Sequence, residues 1–365
     1  MIINVLQERY GKETPLTVTR GKVHEYLGMT IDFSEPGKVK FSMQQYVDLL
    51  LDECPDEFNK GSARTPATNH LFETNDEADK LNKEDSETYH HLVAKLLYLS
   101  KRTRPDLQLT VAFLTTRVQL PDINDWKKLG RCLKYLRESR DLPMTLEASG
   151  DGIIRWWVDA SFGVHGDLKS HTGASMSMGR GCPINFSSKQ KINTRSSTEA
   201  ELVGANDAMT PVLWVRLFLQ AQGFEVQDNI VYQDNQSTML LEKNGRQSSG
   251  KKTRHIEIRY YFITDNIKRG NVRVEYCPTD QMIADFFTKP LQGSAFLKYR
   301  ALILGLPPLS GSQECVGTSN AGTAVCGNRS QPVKRSTYVD VAKRGNVTLS
   351  RFVIPDHGLT SLRKL

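Results

Sequence analysis

The sequence has no long hydrophobic run, and its most apolar stretches are short. The stretch over 211–220 contains Arg216, and the one that begins at Ala301 stops at Pro307. A membrane-spanning helix needs about 20 predominantly apolar residues, so no membrane segment is predicted. The first ten residues also lack the basic and then apolar order of a signal peptide. We therefore expect an intracellular protein.

Cysteines are few and scattered. The six cysteines form no C-x-x-C pair and no cluster with histidine at the spacing of a zinc site. We expect reduced thiols and no structural zinc. A length of 365 residues gives a prior of two to three domains at about 150 residues each, which excludes a small disulfide-stapled fold.

Net positive charge is small outside the C-terminal end. Positions 311–365 hold eight basic and three acidic residues, and so carry five of the seven net positive charges. Whole-chain charge is therefore weak evidence for a nucleic-acid partner. The same end is rich in Gly, Ser, Thr and Asn and lacks a periodic apolar face, so residues 301–365 are predicted to be a basic, disordered tail, and residues 311–365 are expected to be dispensable for folding.

Hydrophobic patterning divides the rest of the chain into three segments. Alternation between 15 and 42 predicts strands, and helical periodicity between 85 and 140 predicts a small helical module. From Ser149 onward strands and helices alternate in the order βββαβ(α)αβα, which is typical of an α/β domain. The expected segments are 1–60, 61–148 and 149–300.

Four acidic residues occupy positions at which such a domain can gather them. Asp159 stands in the middle of an apolar strand, and Glu201 lies in the first turn of a long predicted helix. Asp234 ends a strand, and Asp285 lies in a final helix predicted over 282–288. Clustered carboxylates repel one another unless a cation lies between them, and hard oxygen ligands select Mg²⁺ or Mn²⁺. The pattern predicts two-metal phosphodiester hydrolysis.

Any one of these acids also has an ordinary alternative role as a surface charge or a helix cap. Asp234 is followed by Asn235 and Ser237, so on its own it is equally compatible with capping the next helix. Asp159 is the hardest to explain in this way, because few acids stand inside so apolar a strand. The case for a metal site therefore depends on the four acids together.

Five motifs occur in order along the second half of the chain. They are Trp157-Val158-Asp159-Ala160, Ser196-Ser197-Thr198-Glu199-Ala200-Glu201-Leu202, Gln233-Asp234-Asn235-Gln236-Ser237, Arg254-His255-Ile256-Glu257-Ile258-Arg259-Tyr260 and Ile283-Ala284-Asp285-Phe286-Phe287-Thr288-Lys289-Pro290. Together they resemble the ribonuclease H domain of copia-type LTR-retrotransposon polyproteins. Upstream, Glu25-Tyr26-Leu27-Gly28-Met29 and Arg102-Thr103-Arg104-Pro105-Asp106-Leu107 resemble the late palm, thumb and connection of the family's reverse transcriptase. The resemblance covers about residues 15–300.

The resemblance implies a fold, an activity and a set of partners. For 149–300 it implies a ribonuclease H-like mixed sheet with flanking helices, preceded by a truncated palm and thumb segment (1–60) and a connection segment (61–148). It implies an endonuclease that cuts the RNA strand of RNA–DNA hybrids during reverse transcription, in cytoplasmic virus-like particles or the nucleus. The missing polymerase part of the polyprotein is a candidate partner. Two Mg²⁺ or Mn²⁺ ions would be held by Asp159, Glu201, Asp234 and Asp285.

Two features depart from the family pattern. Reverse transcriptase needs a Tyr-x-Asp-Asp hairpin, but this chain has no Asp-Asp pair, and Tyr46-Val47-Asp48-Leu49 lies within a predicted helix. We expect a chain that begins downstream of that hairpin and does not polymerise alone. Many ribonucleases H also place a mobile His before the last helix, whereas the loop 278–281 has none. His255 is the nearest candidate, although a structural or phosphate-contacting role is favoured for it.

Two basic groups flank the predicted site. Phosphate contacts are predicted for both groups, with a solvated surface as the alternative. One group precedes the helix that carries Glu201, and the other precedes a later helix; their members are Lys189, Lys191 and Arg195, and Lys251, Lys252, Arg254 and His255.

Two other functions remain open. Integrase-type strand transfer uses two Asp and a closing Glu, whereas here the last acid is Asp285 and Glu201 comes earlier, which disfavours it. The second alternative is a catalytically silent retrotransposon remnant or a nucleic-acid-binding module. The four intact acids argue against decay of the nuclease site.

The motif Ser-Thr-Glu-Ala-Glu offers two glutamates for one role. Helix geometry places Glu201 only marginally nearer the buried stripe, and Ser196 completes a capping box with Glu199. Thr198 offers Glu201 the same arrangement, so capping does not decide. The resemblance does, because the family's metal-binding Glu directly precedes an apolar residue, as Glu201 precedes Leu202.

Overall fold

The computed structural model describes residues 2–244 and 257–307, and most of its elements follow the predicted pattern. Within these ranges the helices are α1 (Ile2–Tyr10), α2 (Gln44–Asp52), α3 (Lys83–Ser100), α4 (Gln108–Thr115), α5 (Ile123–Glu138), α6 (Ser197–Ala221), α7 (Gln236–Asn244), α8 (Glu257–Lys268) and α9 (Gly293–Leu304). The strands are β1 (Val23–Tyr26), β2 (Met29–Asp32), β3 (Lys38–Ser42), β4 (Met144–Ala148), β5 (Ile153–Ser161), β6 (His171–Ser177), β7 (Gly179–Arg180), β8 (Ile184–Lys189), β9 (Asp228–Gln233) and β10 (Arg273–Tyr276).

The second half of the described chain forms a mixed sheet in the order β10–β9–β5–β6–β8. Strands β5, β6 and β8 pair antiparallel, whereas β5, β9 and β10 are parallel. Helix α6 packs its apolar side on the central strand β5, where Leu202 and Met209 share a core with Trp156. The predicted mixed sheet with flanking helices is confirmed.

A second sheet links the two halves of the chain and was only partly predicted. Its order is β1–β2–β3–β4–β7, with antiparallel pairing throughout. Strands β1 to β3 confirm the strands expected between 15 and 42. Strands β4 and β7 were not predicted, because five and two residues are too few to show a clear period. One lies in the predicted segment 61–148 and the other in 149–300, so this sheet spans both.

A buried ion pair organises the helical module of α3, α4 and α5. Arg104 Nε and Nη2 donate to the two carboxylate oxygens of Asp106 at 2.9 and 2.8 Å, and the Tyr135 hydroxyl donates to Asp106 at 2.6 Å. Removing one partner of such a pair leaves an uncompensated buried charge. The Arg104-Pro105-Asp106 part of the upstream motif is therefore a structural element of this module.

The prediction of a final α-helix over 282–288 is wrong in helix type and length. Residues Ile283–Phe287 form a short 3-10 helix, because its last carbonyls are bound by the sheet. Ser187 donates to the Phe287 carbonyl at 2.7 Å, and Ser161 donates to the Thr288 carbonyl at 3.1 Å. The turn therefore follows the sheet instead of continuing as an α-helix.

Helix α9 was not predicted, and it completes the core of the upstream module. Its Phe296, Tyr299 and Ile303 are buried in the same cluster as Leu92 and Leu133. The helix runs to Leu304, so the first residues of the predicted tail 301–365 belong to the fold, and positions 308–365 lie outside the described residues.

Two further sequence predictions have a structural counterpart. The cysteines of the described ranges are free and buried: Cys54, Cys132, Cys182 and Cys277. Among the helices of these ranges, none is long and apolar enough to cross a membrane.

Candidate metal centre

Parallel pairing places two of the predicted acids side by side. Strands β5 and β9 pair up to Trp157 opposite Tyr232. Asp159 and Asp234 each come two residues further along their strands, so they extend the same register just beyond the last paired residues; β9 ends at Gln233, whereas β5 continues to Ser161. Asp159 is buried and Asp234 is half-buried.

Helix α6 brings Glu201 close to Asp159 and Asp234. Close to Glu201, the helix approaches the sheet at Gly204, where a Cβ would lie 3.4 Å from both the Ala160 Cβ and the Thr172 Cγ2. Carboxylate oxygens of Asp159, Glu201 and Asp234 lie within 4.8 Å of one another. We call these three residues the three-acid cluster.

The three-acid cluster fits a hard divalent cation. Glu201 is 6% exposed, and its Oε2 atom has no hydrogen-bond partner among the described residues. Burying a polar atom without a partner costs roughly 1–3 kcal/mol, and more for a charged group, so the arrangement favours a ligand at this position. Carboxylate oxygens are the ligands that Mg²⁺ and Mn²⁺ prefer.

Burial and mutual repulsion raise the pKa values of three acids in this region. Burial, with the neighbouring charges of Asp159 and Asp234, raises the pKa of Glu201 well above its ordinary value. Burial and the charge of Asp159 also raise the pKa of Asp234. The same two causes raise the pKa of Asp285 to about 7, although Lys289 acts in the opposite direction. A bound cation would favour the ionised acids and so reverse these shifts.

Asp285 lies beside the three-acid cluster and is paired with Lys289. The Lys289 Nζ atom is 2.7 Å from Asp285 Oδ1 and 3.7 Å from Asp159 Oδ2. The Thr288 hydroxyl donates a hydrogen bond to Asp159 Oδ2. Sequence reasoning assigned no role to Thr288 or Lys289, although the spacing of four residues between Asp285 and Lys289 is a signal for such a pair.

The two glutamates of α6 have separate surroundings. The Ser196 hydroxyl accepts from the Glu199 backbone N–H at 3.2 Å, and the Glu199 carboxylate accepts from the Arg195 backbone N–H at 2.8 Å. Glu199 is therefore bound to the start of the helix, one residue before the partner that a capping box predicts. Glu201 faces Asp159 and Asp234.

The basic residues predicted to contact phosphates have mixed placements. Lys189 ends β8 and pairs with Asp167 at 2.8 Å. Lys191 and Arg195 are exposed in the loop before α6. The second predicted group lies outside the described residues: Lys251, Lys252, Arg254 and His255.

A chain of buried hydrogen bonds supports the turn that carries Asp285. His165 Nε2 lies 3.0 Å from His171 Nδ1, and His171 Nε2 lies 2.7 Å from the Ser187 hydroxyl. Ser187 uses its only proton on the Phe287 carbonyl, so His171 Nε2–H donates to Ser187 and His171 Nδ1 accepts from His165. Burial lowers the pKa of His165 to about 4 and that of His171 to about 3, so both rings are neutral near pH 7.

Comparison with known proteins finds several retrovirus-related Pol polyproteins of transposons among the relatives. No family model matches the chain. The chain is 28% identical over 303 residues to the retrovirus-related Pol polyprotein from transposon TNT 1-94 of Nicotiana tabacum, covering 78% of this chain and 22% of that protein. It is 32% identical over 232 residues to the retrovirus-related Pol polyprotein from transposon RE2 of Arabidopsis thaliana, covering 62% of this chain and 16% of that protein.

Solved structures of similar shape include the ribonuclease H1 LC11, isolated from compost by a metagenomic approach. It is 14% identical, and the match covers 37% of this chain and 91% of that protein with a TM-score of 0.28. The chain spans about a fifth of the length of the Pol polyproteins it matches. The Pol polyproteins confirm the resemblance to copia-type retrotransposon polyproteins.

Proposed function

We propose that this chain is the ribonuclease H-type part of a retrotransposon polyprotein, and that it cuts the RNA strand of RNA–DNA hybrids with Mg²⁺ or Mn²⁺. The observation that carries the proposal is the three-acid cluster just beyond the paired part of β5 and β9, in which the Glu201 Oε2 atom has no hydrogen-bond partner among the described residues. The Pol polyprotein relatives support the setting, which we place inside the cell, in cytoplasmic particles or the nucleus.

Each acid has a stated role in this proposal. Asp159, Glu201 and Asp234 would hold a divalent ion. Asp285 would add a fourth carboxylate beside them. A bound ion would lower the pKa of the attacking water and offset charge on the phosphate. The chain itself supplies the orientation, because Thr288 binds Asp159 and Thr279 donates to Asp234 at 3.3 Å.

Substrate contact is proposed for exposed basic residues that precede the helix carrying Glu201. Lys191 and Arg195 lie in the loop that leads into α6, close in sequence to Glu201. Lysine and arginine side chains bind phosphates without reading sequence, and the groove shape and 2′-OH groups of a hybrid distinguish it from single strands. Lys189, Lys251, Lys252, Arg254 and His255 remain proposed contacts of the same kind.

The upstream segments complete the proposal. We assign 1–60 to the late palm and thumb and 61–148 to the connection of a reverse transcriptase, and the missing polymerase part is the proposed partner. Tyr46 to Leu49 lie within α2, and the sequence contains no Asp-Asp pair. We therefore expect no DNA synthesis by this chain alone.

A cleavage assay tests the function directly. The full chain is incubated with end-labelled RNA, either single-stranded or annealed to DNA, in Mg²⁺, Mn²⁺ or EDTA. We expect cleavage of the RNA in the hybrid only, with Mg²⁺ or Mn²⁺ only, and none with Asp159→Asn at an unchanged fold. Equal cutting of single-stranded RNA, or activity in EDTA, would contradict the proposal.

Two further readouts address the alternatives. Primer extension on the same hybrid is expected to show no nucleotide incorporation. If the chain binds the hybrid in the presence of Mg²⁺ and of Mn²⁺ but never cuts it, the result would instead support the silent binding module.

A further inference from the structure

Lys289 occupies the position that a cation shared by Asp159 and Asp285 would take. Its ammonium nitrogen is 2.7 Å from one acid and 3.7 Å from the other. The Lys289 backbone N–H donates to the Asp285 carbonyl at 2.9 Å, so the two residues lie one helical turn apart on the same side. Asp285 is thereby supplied with a positive charge by its own segment of chain.

The backbone on both sides of Lys289 is held in place. Thr288 binds Asp159 on one side. On the other, Gln292 donates to the carbonyls of Pro290 at 3.0 Å and Ala67 at 2.9 Å. The ammonium position thus follows from an anchored segment, while the side chain itself is 42% exposed and can turn toward solvent.

An ammonium group and a divalent ion cannot use the same carboxylate oxygens at once. Mg²⁺ binds oxygen at about 2.1 Å, so an ion between Asp159 and Asp285 would lie within a few ångströms of the ammonium nitrogen. Repulsion between like charges at such a distance is strong in a partly buried site. The conflict is smaller at the three-acid cluster, because Lys289 pairs most closely with Asp285, which is not a member of that cluster, and lies 3.7 Å from Asp159, the one member it pairs with.

We propose that Lys289 is a built-in counter-cation that stands in for the second divalent ion. The chain then binds one ion tightly at the three-acid cluster, and a second ion at Asp285 only by displacing the ammonium group. This inference rests on the proposed function, because it presumes that the three-acid cluster binds a metal. Lys289 acts here through Asp159 and Asp285, as a positioning residue.

Metal titration of the full chain tests this inference. Mn²⁺ binding is followed by calorimetry and by electron paramagnetic resonance for the wild type, Lys289→Met and Lys289→Arg. Lys127→Met, an exposed lysine of α5, is the matched control. We expect Lys289→Met to tighten the second ion by about tenfold, with little change in the first, because one unit of repelling charge is removed. Lys289→Arg and Lys127→Met are expected to match the wild type.

Thermal unfolding gives a second readout. In EDTA, Lys289→Met is expected to melt below the wild type, because Asp159 and Asp285 have lost their cation, and Mn²⁺ should close the gap. Equal affinity of two ions in the wild type, unchanged in Lys289→Met, would overturn the inference while leaving the proposed function intact. Absence of any binding by both proteins would reject the proposed function and the inference together.

Discussion

At the scale of single residues, Glu199 and Glu201 show how position on a helix divides two identical side chains. Glu199 accepts a backbone N–H from Arg195, whereas one oxygen of Glu201 has no partner among the described residues. The difference in surroundings predicts a difference in chemistry. Only Glu201 has carboxylate neighbours at a distance that suits a shared ion.

Substitution of the two glutamates by glutamine is expected to separate function from stability. Glu201→Gln should abolish metal-dependent cleavage without lowering the melting temperature in EDTA, because the amide relieves repulsion inside the three-acid cluster. Glu199→Gln should keep cleavage and lose about 1 kcal/mol of stability or less, since an amide oxygen still accepts the Arg195 N–H. Cleavage rates and melting curves of both variants test this prediction. Loss of cleavage in Glu199→Gln alone would make Glu199 the metal ligand and Glu201 the structural residue.

The buried histidines predict a stability change with pH. Their pKa values in the folded chain, about 4 for His165 and about 3 for His171, lie below the ordinary 6.5. Between pH 6.5 and 4 the unfolded chain therefore binds more protons than the folded chain, and these two residues destabilise the fold as the pH falls. Asp285 acts in the opposite sense, because its pKa is raised.

A difference measurement isolates the histidines from the acids. We expect the melting temperature of the wild type, relative to the double variant His165→Asn/His171→Asn, to fall as the pH is lowered from 7 to 4. Both proteins keep the same acids, so the contribution of Asp285 cancels in the comparison. If the melting temperatures of the two proteins change in parallel with pH, the histidines are protonated in the folded chain as readily as in the unfolded chain, and the prediction is wrong.

At the scale of helices and strands, prediction succeeded where the pattern was long and failed where tertiary contacts decide. Helix α5 lies within the helical module predicted between 85 and 140, since its apolar spacing extends over four turns. The turn over 283–287 was predicted as an α-helix, but hydrogen bonds from Ser161 and Ser187 on distant strands set its geometry. Helix α9 begins at Gly293, shortly after Pro290, and the sequence pattern predicted neither its start nor its burial.

The candidate site could be predicted to a similar extent. Asp159, Glu201 and Asp234 were expected together, because strand order and an α/β pattern place them at one edge. The pairing of Asp285 with Lys289 was not expected, since it depends on the 3-10 geometry of the turn and on side-chain orientation. Sequence patterns report neither of these.

A glycine of β6 packs closely against the turn over 283–287, so a larger residue at this position is expected to displace the turn. Gly173 lies opposite Asp159, and a Cβ there would come within 2.7 Å of the Phe287 Cβ and the Thr288 Cγ2 and 3.0 Å of the Ala284 carbonyl oxygen. Gly173→Ala should displace the turn that carries Asp285 and Lys289. We expect a loss of roughly 1–3 kcal/mol in stability, as for other overpacked sites, and a larger loss in cleavage.

Gly204→Ala is the matched control for this prediction. Its Cβ would meet side-chain atoms at 3.4 Å, and alanine favours the helix over glycine by about 1 kcal/mol, so stability should be unchanged or higher. Melting curves and Mn²⁺ titration compare the two variants. Equal melting temperatures and equal Mn²⁺ affinities of the two variants would show that the turn over 283–287 accommodates a Cβ at position 173.

At the scale of the whole described unit, the segments predicted from sequence share one core. Phe286, Phe296 and Ile303 from the end of the described chain are buried with Leu92 and Leu133 of the helical module. Strand β7 also pairs with β4 across the predicted border at 148–149. The sequence pattern separates these segments because each has its own period, but their apolar faces are buried against one another.

Removal of α9 is expected to destabilise the upstream module, although α9 is far from it in sequence. A chain that ends at Leu291 loses Phe296, Tyr299 and Ile303, and each buried side chain of this kind contributes about 1.5–3 kcal/mol. We expect a large fall in melting temperature relative to a chain that ends at Pro307. Circular dichroism melts of the two chains test this, and equal melting temperatures would show that α9 is dispensable for the core.

The position of α9 in this core also bears on how the chain is made. The helical module leaves the ribosome early, but Phe296 and Ile303, which cover part of it, are among the last described residues to be synthesised. Translation adds about 5–20 residues per second, so the module waits roughly ten seconds or more with an apolar face exposed. Contacts this distant in sequence also form slowly, because a long loop must close first. Completion of this core therefore depends on α9, the last helix of the described residues, and a ribosome that stops before α9 leaves a nascent chain with an incomplete core and a surface prone to aggregation.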